Sequence, residues 1–172
     1  MIGQDANGEA EKAVLLAYLD SQRRHVLGIL EGLDDEAMRQ PVLPSGWSCI
    51  GLVQHLIEDE ERFWFRAVVA ADPEVIAALD DAGDTWHVDP AVAVADVLDR
   101  YRAEIDRSNA VIAATAIDAA PAWWPGDLFG DWRLDDLREV LLHMIVEIAC
   151  HAGHLDAARE LLDGRQWLVL MD

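Results

Sequence analysis

One stretch constrains this chain more than any other: His143 to His154, reading HMIVEIACHAGH, inside a longer run from Leu134 to Leu162 with helical apolar spacing. At about 100° per residue, with His143 as zero, Glu147 falls near ~40°, His151 near ~80° and His154 near ~20°. The four metal-capable side chains therefore share one narrow face. A polar stripe on an otherwise apolar helix has to be satisfied by a bound metal, a hydrogen-bonded network or water. The metal reading also requires a ligand from elsewhere in the chain.

The rest of the sequence supplies helices to pack against this one. Met1 to Gly8 is small and polar and is expected to fray. From about Glu9 to Leu33 apolar residues recur at threes and fours, as in an amphipathic helix. His25, beside Arg23 and Arg24, reads as a surface or satisfied histidine. Gly32 to Glu36 ends that helix, and Gln40 to Trp47, with two prolines and a glycine, forms no helix. Ser48 is an N-cap for a second helix reaching about Ala71, with His55 in its first half. Glu60 and Glu61 read as part of a solvated face, while Glu58 and Asp59 lie three and four residues from His55, within reach of it.

Asp72 to Pro90 predicts a long connection with a helical turn near Val75 to Leu79, and carries Trp86 and His87. A third helix follows from about Pro90 to Thr115. Asp118 to Asp131 is irregular and holds Trp123, Trp124 and Phe129, with Trp132 just beyond; these aromatics either plug the end of a bundle or wall a pocket. The last helix stops at Asp163-Gly164. The tail from 165 to 172 ends in the apolar Trp167 to Met171, which suits a small strand, a packed tail or a homodimer contact. Four amphipathic segments without a strand pattern predict an all-α, four-helix bundle in a single domain spanning 1–172.

Composition removes several function classes. The net charge is −20, from 33 acidic and 13 basic side chains, and no basic cluster follows a phosphate backbone, so no nucleic-acid partner is expected. No unbroken apolar run reaches the roughly 18 residues of a membrane helix, so no membrane partner is expected either. Cys49 and Cys150 fit no disulfide framework, which with the lack of a leader-like start points to the cytoplasm.

Helix rise is about 1.5 Å per residue, so Glu147 and His151, one turn apart, can converge on one ion, as can His151 and His154. His143 and His151 are too far apart to share one easily. A facing helix must supply the third ligand, and His55 is the histidine available on helix two. Two histidines and a carboxylate suit a zinc or another divalent first-row metal with a coordination position left open.

Gly32-Leu33-Asp34-Asp35-Glu36, Pro44-Ser45-Gly46-Trp47-Ser48, His55-Leu56, Glu147 through Leu155 and Asp163-Gly164 together resemble the DinB-like superfamily. Within it, the chain is similar to the branch related to the N-terminal domain of mycothiol-dependent maleylpyruvate isomerase. The resemblance implies an up-down-down-up four-helix bundle with a divalent metal, zinc first and nickel, iron or manganese as alternatives, held by His55, Glu147 and His151. His154 stands where many relatives have glutamine, and is assigned with His143 to orienting a ligand or moving a proton. The resemblance is to the N-terminal domain of the isomerase and not to its second domain, so maleylpyruvate isomerisation itself is not what is expected.

The function expected is a metal-dependent thiol enzyme, with mycothiol or a similar small thiol as cosubstrate and an electrophile as partner, acting by transfer or thiol-assisted isomerisation. A metal-dependent hydrolase and a non-enzymatic metal or small-ligand binding protein are the alternatives. Cys150, near ~−20° on the same helix, reads as a small buried hydrophobe.

Overall fold

The structure is a computed structural model that describes residues 2–79 and 83–167, and among these it is all-helical. Helix α1 spans Ile2–Leu30, so it begins inside the Met1 to Gly8 segment expected to fray, and a short α2 (Asp35–Arg39) follows it. Asp34 caps α2 by accepting the Ala37 N–H, so the turn read after helix one carries a helix of its own. Helix α3 (Cys49–His55) is capped by Ser48, as expected, and runs directly into a π-helical segment, Leu56–Val69. Then come α4 (Pro73–Ala78), α5 (Val94–Ala114), α6 (Gly126–Phe129) and α7 (Leu137–Asp163), which ends on Gly164 in the left-handed conformation.

Long-range polar ties set how the four long segments lie. Arg138, in the first turn of α7, forks Glu11 on α1 at 2.6 and 2.9 Å, while Arg159 near the other end of α7 donates to the carbonyls of Ile29 and Glu31. Helix α7 thus packs along α1 with matching ends together. Lys12 of α1 donates to the carbonyl of Thr115, just past the end of α5. Between them lies a fully buried apolar interior that includes Leu19, Val26, Leu56, Val68, Val97, Ile112, Met144 and Ile148.

The π-helical segment departs most from the sequence reading. Its hydrogen bonds step back five residues rather than four, as Ala70 N–H to Phe65 C=O at 3.0 Å shows at its end. The wider winding turns Glu60 and Glu61 inward, and both are buried rather than solvated. Glu61 is matched there by Arg23 of α1, whose Nε and Nη2 meet the two carboxylate oxygens at 2.7 and 2.6 Å. The same guanidinium reaches Asp20 and Asn109 at 2.8 Å each, so one buried cation ties α1, the π-helical segment and α5 together.

Two expectations about apolar segments need correction or restriction. Although the sequence has no unbroken membrane-length apolar run, α7 contains an 18-residue stretch long and apolar enough to cross a membrane. Buried core helices share that composition, and Leu141, Met144, Ile148 and Leu155 of α7 are buried in this one. Of the apolar tail, Trp167 lies against Gly28 of α1 and its N–H donates to Asp156 at 2.6 Å, whereas Leu168 to Met171 fall outside the described residues.

Removing one member of a buried, hydrogen-bonded ion pair strands the other, a loss of about 3–5 kcal/mol. Arg23→Ala should therefore destabilise the protein by about that amount in urea unfolding. Lys at position 23 should recover only part of the loss, since an ammonium cannot reproduce the fork.

Candidate metal centre and its cavity

The centre is built where the end of α3 faces the middle of α7. His55 is the last residue of α3, and its ring lies 4.9 Å from that of His151, centroid to centroid. Glu60, five residues after His55, is carried by the π-helical winding to the same side, with Oε1 3.8 Å from His55 Nε2. One ligand atom from each of His55, Glu60 and His151 lies within 4.8 Å of the other two.

His55 is held on both sides. Its Nδ1 lies 2.7 Å from Asp59 Oδ2, which also accepts from the Thr85 hydroxyl. A carboxylate accepting from Nδ1 leaves Nε2 as the ring's free donor atom toward Glu60 and His151. Trp86 stacks on the other face of the ring, 4.1 Å between centroids and 17° between planes. The loop carrying Trp86 approaches so closely because residue 51 is glycine; a Cβ there would stand 2.1 Å from the Trp86 carbonyl oxygen. Gln54 fastens the same loop by donating to the carbonyls of Thr85 and His87. His87 itself points to solvent and pairs with Asp84 at 2.5 Å.

Burial, followed by the neighbouring Glu147, Asp59 and Glu61, pushes the Glu60 carboxyl up to about 8. His151 is pushed down to about 4 by burial, with His55 and His154 adding to the shift. Glu60 Oε2 and His151 Nδ1 are buried without a hydrogen-bond partner. These two unpaired atoms, with His55 Nε2 facing them, form a set of two imidazoles and a carboxylate that fits a divalent first-row metal.

Glu60 also forms part of the wall of a cavity of about 1090 Å³. Glu147 and His143 of α7 line the same space, with Trp64, Trp123, Trp124, Phe129 and Trp132. Trp64 belongs to the π-helical segment itself, and the other aromatics come from the stretch docked on its end, where Val68 and Val69 carbonyls accept the Trp123 and Ala122 N–H groups. They wall a pocket, the second of the two roles their sequence allows.

The four polar residues of α7 thus separate. His151 joins His55; Glu147, one turn earlier, faces the cavity beside Glu60 and is not among the three converging groups. His143 sits 4.5 Å from the Trp64 ring and is kept below the ordinary histidine range by burial, which Glu147 partly opposes. His154 is exposed, its ring 5.7 Å from His151 and 6.4 Å from Trp47. Cys150 is exposed rather than buried, because it continues the outward row of Leu142 and Val146 along α7. His25 lies half-buried on α1, with Nδ1 unpartnered.

A family model described as mycothiol-S-transferase matches residues 14–164. The chain belongs to the mycothiol-S-transferase family, which is of DinB-like type. No curated protein and no solved structure matches the chain. The span matched to the mycothiol-S-transferase family contains His55, Glu60, the α7 stripe and the whole aromatic wall. Glu60 and Trp86 were missed from sequence. Glu60 was hidden by the π-helical winding; Trp86 had only its place in an aromatic-bearing loop to mark it.

In the metal-free protein the raised Glu60 carboxyl binds a proton more tightly than it does in the unfolded chain. Its contribution is therefore lost as pH rises from the ordinary carboxylate range through about 8. Glu60→Gln should accordingly stabilise the metal-free protein at pH 8 by on the order of a few kcal/mol, with little effect at pH 5. Chemical denaturation at the two pH values checks this.

Proposed function

We propose that this protein is a divalent-metal-dependent enzyme that transfers the sulfur of a low-molecular-weight thiol, such as mycothiol, to an electrophile. What carries the reading is the convergence of His55 and His151 with a carboxylate on the wall of an aromatic cavity, in a chain of the mycothiol-S-transferase family. A hydrolase or a simple binding protein would use the same donor set, and family membership is what favours thiol transfer over both. It also favours transfer over isomerisation.

A divalent ion, with zinc first among the first-row metals, supplies a lowered pKa for a bound thiol and hence thiolate at neutral pH. The chain's own residues do the rest. His55 and His151 provide the nitrogens, and Asp59, backed by Thr85, holds His55 with Nε2 free. The carboxylate ligand is assigned to Glu147, one turn before His151 and beside Glu60 in the cavity wall. Trp86 covers the His55 ring and keeps water from that face. His143, in the cavity wall and favoured in its neutral form, is assigned to accepting a proton, and the exposed His154 to orienting the thiol.

Matching ends of α1 and α7, tied through Arg138 and Arg159, support an up-down-down-up bundle within a single domain. Two free cysteines, Cys49 and Cys150, are in keeping with a reducing cytoplasm.

His151→Ala should abolish stoichiometric metal in purified protein while leaving helical circular dichroism intact; unchanged metal content refutes the site. Glu147→Gln should lose metal as well. If Glu60→Gln loses it and Glu147→Gln retains it, Glu60 is the carboxylate ligand instead. Asp59→Asn should weaken metal binding about 10–100-fold by loosening His55. With cobalt bound, mycothiol should produce a thiolate charge-transfer band, and its absence at millimolar thiol refutes thiol transfer.

A further inference from the structure

The cavity beside the centre has a chemical character of its own. Its aromatic wall is continuous: Trp64 and Phe129 stack at 5.6 Å and 14°, and Trp132 lies 5.2 Å from Phe129 and 5.7 Å from Trp124. Among the described residues its charged lining consists of Asp59, Glu60, Asp127 and Glu147, with no lysine or arginine. The nearby Arg133 lies over the face of Trp124 and is not among the lining residues. At about 1090 Å³ the space is at the upper end of ordinary ligand sites, which run to about 1,000 Å³.

We propose that this cavity is the electrophile site and selects aromatic electrophiles that are neutral or cationic, excluding anionic ones. The proposal rests on the thiol-transferase reading for the reaction, but not for the binding. Flat apolar rings gain from offset and edge-on contact with Trp64, Phe129 and Trp132. A cation gains further from the indole faces and the carboxylates. An anion buried here meets four acidic side chains and, among the described lining residues, no lysine or arginine, in a chain whose net charge is already −20. Glu60 belongs both to the converging ligand group and to the cavity wall, so an electrophilic carbon in the cavity lies on the side from which sulfur would be delivered.

For a halogenated nitroaromatic the chemistry is substitution. The thiol sulfur forms a bond to the ring carbon bearing chlorine, the carbon–chlorine bond breaks with its electron pair leaving on chloride, and the thiol proton passes to solvent. No oxidant or reductant is needed.

The test uses the metal-loaded protein with mycothiol and two electrophiles differing in charge, 1-chloro-2,4-dinitrobenzene and the anion 4-chloro-3,5-dinitrobenzoate. Each rate is divided by its uncatalysed rate. The neutral compound is expected to show at least tenfold higher relative kcat/KM. Asp127→Lys, at an exposed rim position, should narrow that ratio several-fold. Binding is measured separately by calorimetry with unreactive 1,3-dinitrobenzene, which should saturate and weaken at least threefold in Trp132→Ala. Trp132 is 44% exposed, so its truncation should leave circular dichroism unchanged. Equal relative rates for the two electrophiles, or binding unaffected by Trp132→Ala, overturn the proposal. Saturable, Trp132-dependent binding without any transfer leaves the cavity assignment standing and removes the thiol-transferase reading.

Discussion

The five-residue hydrogen-bond step of the segment Leu56–Val69 is the constraint on which the rest of this structure depends. With ordinary α-winding, Glu60 and Glu61 would point away from the face that carries His55. The wider turn sends both carboxylates inward, and each meets a different fate. Glu61 finds the Arg23 guanidinium and becomes part of the scaffold; Glu60 finds two imidazoles and no counter-charge. The end of the same segment presents the Val68 and Val69 carbonyls that hold the aromatic loop in place. One irregularity of winding thereby sets the buried ion pair, a wall of the centre and the roof of the cavity. Rare π-helical turns persist where such a gain offsets their poorer hydrogen-bond geometry.

Much of this was legible in the sequence because it rests on local rules. Ser48 at the start of α3 and Gly164 at the end of α7 follow from capping preference. His55 was found because a facing histidine was needed, and the aromatics near Trp124 because a loop seldom carries so many. The misses have a common cause. Glu60 and Glu61 were placed with a period of 3.6 residues, and nothing in LIEDEERFWFRAVV marks the change of period. Trp86 reaches His55 only through the close approach allowed by Gly51, a contact between residues 35 positions apart, which no local pattern encodes. Cys150 failed for a simpler reason: an angle on a helix gives direction, and the neighbours in that direction are set by packing.

The two histidines of the candidate centre are held in different ways. His55 has a carboxylate on Nδ1 and an indole on its face, so its orientation is fixed before anything binds. His151 has no hydrogen-bond partner on Nδ1 and is kept neutral chiefly by burial. An ion held by the pair would meet one anchored ring and one adjustable ring, which would let the centre accommodate small changes without moving α3. Since α7 runs along α1 and is tied to it at both ends, an adjustment at His151 falls on its side chain rather than on the helix.

The separation between scaffold and centre follows from where the charges are neutralised. Arg23 matches Glu61 within the protein, so that part of the interior is complete without any ligand. Around His55 and His151 the balance is left open, since Asp59, Glu60 and Glu147 are close by and the described residues of the cavity lining include no lysine or arginine. A site with surplus carboxylate attracts a cation, and one bound there would oppose the mutual repulsion that now raises the cost of ionising Glu60. The core packed among α1, α5 and α7 does not share that repulsion. Ion occupancy should thus tune the electrostatics at one part of α7 while the Arg23 tie and the apolar interior carry the fold, an arrangement that lets the same helices serve as support and as ligand source.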